Sequence, residues 1–106
     1  MRLDENTGSI ITLEQAQNLA SAFNEKYADE TISSFIGANN VKQILDQEGC
    51  VGLRIYNGFN NETQRISLVI VGVDKDEKEM VEEGIIYDDL TTCPNMCPVE
   101  SKIYKK

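Results

Sequence analysis

The sequence predicts an α+β fold: two N-terminal helices followed by a small antiparallel sheet built on a β-hairpin, with an irregular Cys- and Pro-bearing C-terminal tail. Three observations lead there. Apolar residues recur at helical spacing over 13–27 and again over 41–45. They then alternate along 50–56 and 64–73, which reads as two strands joined by a turn. Finally, Cys93-Pro94-Asn95-Met96-Cys97-Pro98 contains two prolines, which remove backbone donors and fix φ.

The first helix starts at a capping-box pattern, Thr12-Leu13-Glu14-Gln15, with Ile11 and Ala16 placed for a hydrophobic staple. Leu13, Ala16, Leu19, Ala20, Phe23 and Tyr27 supply its apolar stripe, and 1–10 is a polar, frayed approach to it. The stretch 29–38 reads as a connection with a short extended piece that plugs Ile32, Phe35 and Ile36 into the core. Asn39 or Asn40 then caps a shorter helix carrying Val41, Ile44 and Leu45, and Gly49 is suited to stop it.

In the first strand Val51, Leu53 and Ile55 share one face, and Cys50, Gly52, Arg54 and Tyr56 the other. Residues 57–63 have turn composition. The second strand differs, with Ile66, Leu68 and Ile70 on one face and Val69, Val71 and Val73 on the other. A strand apolar on both faces belongs in the centre of a sheet, covered on both sides. The charged stretch 74–83 precedes a third strand at Ile85-Ile86-Tyr87.

A chain of 106 residues suits one domain spanning 1–106. At that size folding hides roughly two-thirds of the unfolded surface, enough for one aliphatic core without Trp. The net charge of −8 repels phosphate backbones and anionic lipid, so neither nucleic acid nor membrane is an expected partner. The start, Met-Arg-Leu-Asp-Glu-Asn-Thr-Gly, lacks the apolar stretch of a secretory signal, and the expected location is cytoplasmic, with three reduced thiols. Histidine is absent, which removes the usual general base and the commonest metal ligand and leans the chain away from enzymes.

Several words recur together in one known family. They are Phe35-Ile36-Gly37, Gln47-Glu48-Gly49-Cys50-Val51-Gly52-Leu53-Arg54-Ile55-Tyr56, Leu68-Val69-Ile70-Val71-Gly72-Val73-Asp74, and Cys93-Pro94-x-x-Cys97. In that order, over the last two-thirds of the chain, the sequence resembles a family of small bacterial proteins with no assigned activity. The resemblance implies no catalytic or binding residue. The chain departs from it at Asn95, where the family pattern has Pro, and at Glu77-Lys78-Glu79, where it has a Gly-Asn turn followed by Asp.

The residues offer two kinds of candidate site. Arg54 and Tyr56 share a strand face; the guanidinium fork suits a carboxylate or phosphate ligand, although with 18 acids present an intramolecular pairing is the stronger reading. Cys50, Cys93 and Cys97 form a thiolate set that suits Zn²⁺ if a fourth ligand is added, or a dithiol redox pair, against a reading as a small core residue plus tail thiols. The acidic run from Asp74 fails a calcium loop, since Lys78 takes the fifth position and Glu79 the glycine position. Gly49-Cys50-Val51-Gly52 precedes a strand, so it is no dinucleotide fingerprint. Ser33 and Ser34 have no His to activate them.

Two functional expectations follow. The first is a non-enzymatic binding or assembly module that buries the second apolar face of the hairpin in a homodimer or a protein partner, without a cofactor. The alternative is a Zn²⁺-binding or dithiol redox protein using Cys50, Cys93 and Cys97.

Overall fold

The fold comes from a computed structural model, which describes residues 3–82, 84–88, 90–93 and 101–103. Helix α1 (Leu13–Lys26) begins where the capping box predicts. The Gln15 amide donates to Thr12 Oγ1 at 3.1 Å, and the Thr12 amide donates to Gln15 Oε1 at 2.9 Å, so two orphan donors satisfy each other. No α1 residue is fully buried, and Leu19 is 67% exposed; only the Ala16, Ala20 and Phe23 side of the stripe is half-buried.

Strand β1 (Ser33–Phe35) follows, and only then helix α2 (Ala38–Leu45). The chain continues through β2 (Cys50–Asn60), β3 (Arg65–Asp74), β4 (Ile86–Tyr87) and β5 (Thr91–Cys93). This corrects the expected architecture. The fold is α+β, but the order is helix, strand, helix, strands, and there are two sheets among the described residues: β2-β3-β4 and β1-β5, both antiparallel. The cause is non-local pairing. Ser33 pairs with Cys93, so three short residues gain a strand partner from the far end of the chain, which local periodicity cannot reveal. The tail is also less irregular than expected at its start. Thr91 and Thr92 are β-branched, and Cys93, preceding Pro94, is biased toward extended backbone. Residues 94–100 lie outside the described residues.

The hairpin forms, with a longer first strand and a tighter turn than its composition suggests. Gly58, Phe59 and Asn60 pair with Ser67, Ile66 and Arg65, so the turn occupies only 61–64. Asn60 Oδ1 accepts the amides of Glu62 at 2.8 Å and Thr63 at 3.2 Å, and Gln64 closes the turn at φ 60°. A bulge at Val51, between Cys50 and Gly52, breaks the register at the other end.

β3 is the central strand, as its two-faced apolar pattern predicts. Ile70, Val71 and Val73 are 2–3% exposed. Cross-strand pairs define the two faces. Ile66, Leu68, Ile70 and Gly72 share one with Phe59, Asn57, Ile55, Leu53 and Tyr87. α2 packs on this face: fully buried Ile44 lies against Gly72, and the Tyr87 hydroxyl meets Asn40 and Gln43. Val69, Val71 and Val73 share the opposite face with Tyr56, Arg54, Gly52 and Ile86.

Candidate functional site

The sheet face away from α2 brings Arg54 and Tyr56 together, and both converge on Glu79. Arg54 and Tyr56 lie on the edge strand β2, opposite Val71 and Val69 of the central strand. Glu79 approaches from the other side of β3, where it forms a bridge with Val73. The turn that delivers it is local. Asp74 Oδ1 accepts the amides of Asp76 at 2.9 Å and Lys78 at 3.0 Å, and Glu77 sits at φ 65°. The Met80 amide then donates to the Gly72 carbonyl at 2.9 Å, which holds Glu79 over the sheet.

Arg54 Nη1 reaches Glu79 Oε2 at 3.0 Å, and the Tyr56 hydroxyl donates to the same oxygen. The three side chains therefore bridge across Val71, the residue that a two-faced apolar strand needed covered. Their chemistry is self-satisfied. The Tyr56 hydroxyl, and after it Arg54, hold the Glu79 carboxyl below the usual carboxylate range. Glu79 in turn raises Tyr56, with partial burial adding to the shift, and raises Arg54. A lowered carboxylate and a raised phenol both move away from neutrality, opposite to what a general acid or base requires. The guanidinium fork is spent on an internal acid, the pairing the sequence favours.

A second carboxylate finishes the other end of β3. Beyond the reach of β4, Ile66 directs its amide and carbonyl away from β2. The Glu30 carboxylate accepts that amide and also the Thr31 amide, the latter at 2.8 Å. The Thr31 hydroxyl donates to the Ile66 carbonyl at 2.8 Å, and Arg65 Nε donates to the Asp29 carbonyl at 3.0 Å. Glu30 is lowered chiefly by the Ile66 amide. Thr31 is 8% exposed. This clamp has no sequence signature beyond an acid-Thr pair in a loop, and sequence reasoning missed it. Glu79 was missed because it is one acid within the charged stretch 74–83, with nothing in the sequence to single it out.

Cys50 and Cys93 are placed apart. Cys50 opens β2 opposite Asp74, is a free thiol, and its Sγ lies 3.3 Å from the Gly52 carbonyl. Cys93 pairs with Ser33, in the segment that Thr31 ties to Ile66 at the other end of β3. Asp74 and Ile66 are eight residues apart on one strand, roughly 26 Å at strand rise. Cys93 is also disulfide-bonded rather than reduced, and 1% exposed. An odd cysteine count leaves one thiol over but does not prevent a bridge. A disulfide sulfur offers no thiolate to a metal, and a buried one is closed to attack. Cys97 lies outside the described residues. Among the described residues no group of three Cys, Asp or Glu side chains gathers as metal ligands.

The remaining feature is the outer edge of β2. Even-numbered β3 residues turn their backbone groups away from β2, as Ile66 and Gly72 do toward Glu30, Thr31 and Met80. Strand alternation then assigns Arg54, Tyr56 and Gly58 to the ladder with β3, and points the amides and carbonyls of Leu53, Ile55, Asn57 and Phe59 outward. Residues 3–7 flank the first part of β2 across a cleft of about 420 Å³ whose lining takes in Leu53 and Ile55 from one face of the sheet and Arg54 and Val73 from the other. The hydrogen bonds of that segment are local, such as Thr7 to Asp4, and none joins it to β2 among the described residues. Ile55 is 54%, Tyr56 48% and Phe59 55% exposed. No helix among the described residues is long and apolar enough to cross a membrane. Comparison of the chain with protein-family models, with curated proteins and with solved structures finds no match in any of the three.

Proposed function

We propose that the protein is a non-enzymatic binding module that takes an added strand along the outer edge of β2. One observation carries this reading: an eleven-residue edge strand leaves the outward backbone groups of Leu53, Ile55, Asn57 and Phe59 without a strand partner among the described residues, beside exposed Ile55 and Phe59. Edge strands are ordinarily blunted by brevity, Pro, or inward charge, because an open ladder recruits other chains. β2 has no Pro, and its single charge, Arg54, is turned onto Glu79. Main-chain pairing would supply affinity, and alternate side chains would supply selectivity. The surface in use is thus the strand's edge, since the second face of β3 at Val71 and Val73 is already covered within the chain.

The test uses a capped peptide of alternating Thr and Val with Lys at each end, titrated into the full chain and followed by amide hydrogen exchange. Slowed exchange at Ile55, Asn57 and Phe59, with Arg54, Tyr56 and Gly58 unchanged, is the expected result. Binding that leaves those three amides untouched, or no binding at millimolar peptide, overturns the reading.

A further inference from the structure

Resting on that reading, we infer that the strand β2 accepts is β2 of a second copy, antiparallel and centred on Asn57, so that two three-stranded sheets join into one. The edge is self-complementary in this register. A twofold axis at Asn57 pairs Asn57 with itself and sets Ile55 of each copy against Phe59 of the other. These are outward-pointing residues on both strands, so each pair exchanges both backbone hydrogen bonds. Ile55 and Phe59, each more than half exposed in the single chain, cover one another on the α2 side of the sheet.

The opposite face matches too. Tyr56 of each copy comes opposite Gly58 of the other, where a ring can lie over a position with no side chain. Gly58 has no room for one: a Cβ there would stand 2.6 Å from the Ser67 carbonyl oxygen. Arg54 falls opposite Asn60, so no like charges meet across the axis.

Charge selects the same strand. Two copies of net charge −8 repel each other, yet none of the 18 acids lies in β2. The acids flank it at Asp4, Glu5 and Glu62, which leaves the Ile55–Phe59 stretch as a neutral lane. Centring on Asn57 puts the axis itself past residues 3–7, which flank Val51 to Ile55, so the partner strand meets that segment only at its ends, where its Phe59 comes beside Ile55.

Sedimentation velocity on the full chain from micromolar to millimolar, with amide exchange at both ends of that range, tests the inference. The expected result is a concentration-dependent dimer, promoted by salt, with Ile55, Asn57 and Phe59 amides protected only in the dimer. Asn57→Pro deletes an outward amide while sparing the ladder to β3, and it should abolish the dimer. Ile55→Lys, which keeps every backbone donor, should weaken dimerisation at least tenfold and serves if the Pro variant does not fold. A chain that stays monomeric at millimolar concentration overturns the second-copy inference. So does a dimer that survives Ile55→Lys without protection at these amides. If the Thr-Val peptide still protects the edge of a strictly monomeric chain, the binding-module reading stands and only the identity of the occupant falls.

Discussion

Arg54 and Glu79 meet at 3.0 Å from opposite sides of β3, one on the edge strand and the other beyond the central strand. With Tyr56 donating to the same carboxylate, they close the sheet over Val71. This is a polar cover on an apolar strand, and it is cooperative because one oxygen serves two donors. Glu79→Gln should lower the melting temperature by several degrees, and Tyr56→Phe by less, since the ion pair survives it. The double variant should melt no lower than Glu79→Gln alone, because the phenol has already lost its charged acceptor. Thermal denaturation by circular dichroism measures all three, and additive losses would contradict a shared oxygen.

The same carboxylates set the pH dependence of stability. Glu79 and Glu30 are both lowered on folding from an ordinary value of 4.5, Glu79 by Tyr56 and Arg54 and Glu30 by the Ile66 and Thr31 amides with Arg65 nearby. A lowered carboxyl adds stability that is complete above its unfolded value and lost as pH falls through the folded value. Tyr56 is raised from 10.0, so its contribution is complete below that and lost as pH climbs through the folded value. The melting temperature should therefore be flat from about pH 5.5 to 9 and fall on both sides. Glu30→Gln should shallow the acid arm alone. Tyr56→Phe should remove part of the alkaline arm.

The elements that were legible in the sequence are those held by local chemistry. Thr12 and Gln15 announce α1, and the unlike alternation of 50–56 and 64–73 identifies β3 as central before any partner strand is known. β1 was legible only as a short extended piece within 29–38; its partner was not, because Ser33 and Phe35 pair with Cys93 and Thr91 from the far end of the chain, and Phe35 stays 69% exposed instead of entering the core. The reach of β2 to Asn60 was hidden for a related reason: Asn57, Gly58 and Asn60 have turn propensity, and pairing with Ser67, Ile66 and Arg65 overrides it. Arg54 and Tyr56 were visible as a pair, but their partner was not, since Glu79 is one acid in a run of acids and only the Asp74 turn singles it out. The position of Cys93 relative to Cys50 was not legible either, since the strand between Ile66 and Asp74 holds the two toward opposite ends.

Glu77 occupies left-handed backbone at φ 65° in the turn that aims Glu79. An L side chain there costs roughly 1–2 kcal/mol, part of which glycine gives back as unfolded-chain entropy. Glu77→Gly should stabilise the fold by about 0.5–1 kcal/mol in urea denaturation, with an unchanged m-value. Glu77→Val should do the reverse, since a β-branched residue tolerates that region least.

At Gly72 the sheet meets Ile44 of α2 and the turn that follows the helix. A Cβ at this position would meet Gln47 Nε2 at 3.0 Å, Cys50 Sγ at 3.1 Å and Ile44 Cγ2 at 3.2 Å. Three neighbours would each have to yield, and Ile44, with no exposure, has nowhere to go. Gly72→Ala should therefore cost about 1–3 kcal/mol as an overpacked core, despite its better strand entropy. Ile44→Ala removes the contacting Cγ2 with the rest of the side chain, and on its own it should cost about 2–5 kcal/mol. Combining them should recover part of the Gly72→Ala loss, so the pair should be less destabilised than the sum of the single variants. Strict additivity in equilibrium denaturation would mean that α2 does not rest on Gly72, and that the cover of this face lies elsewhere.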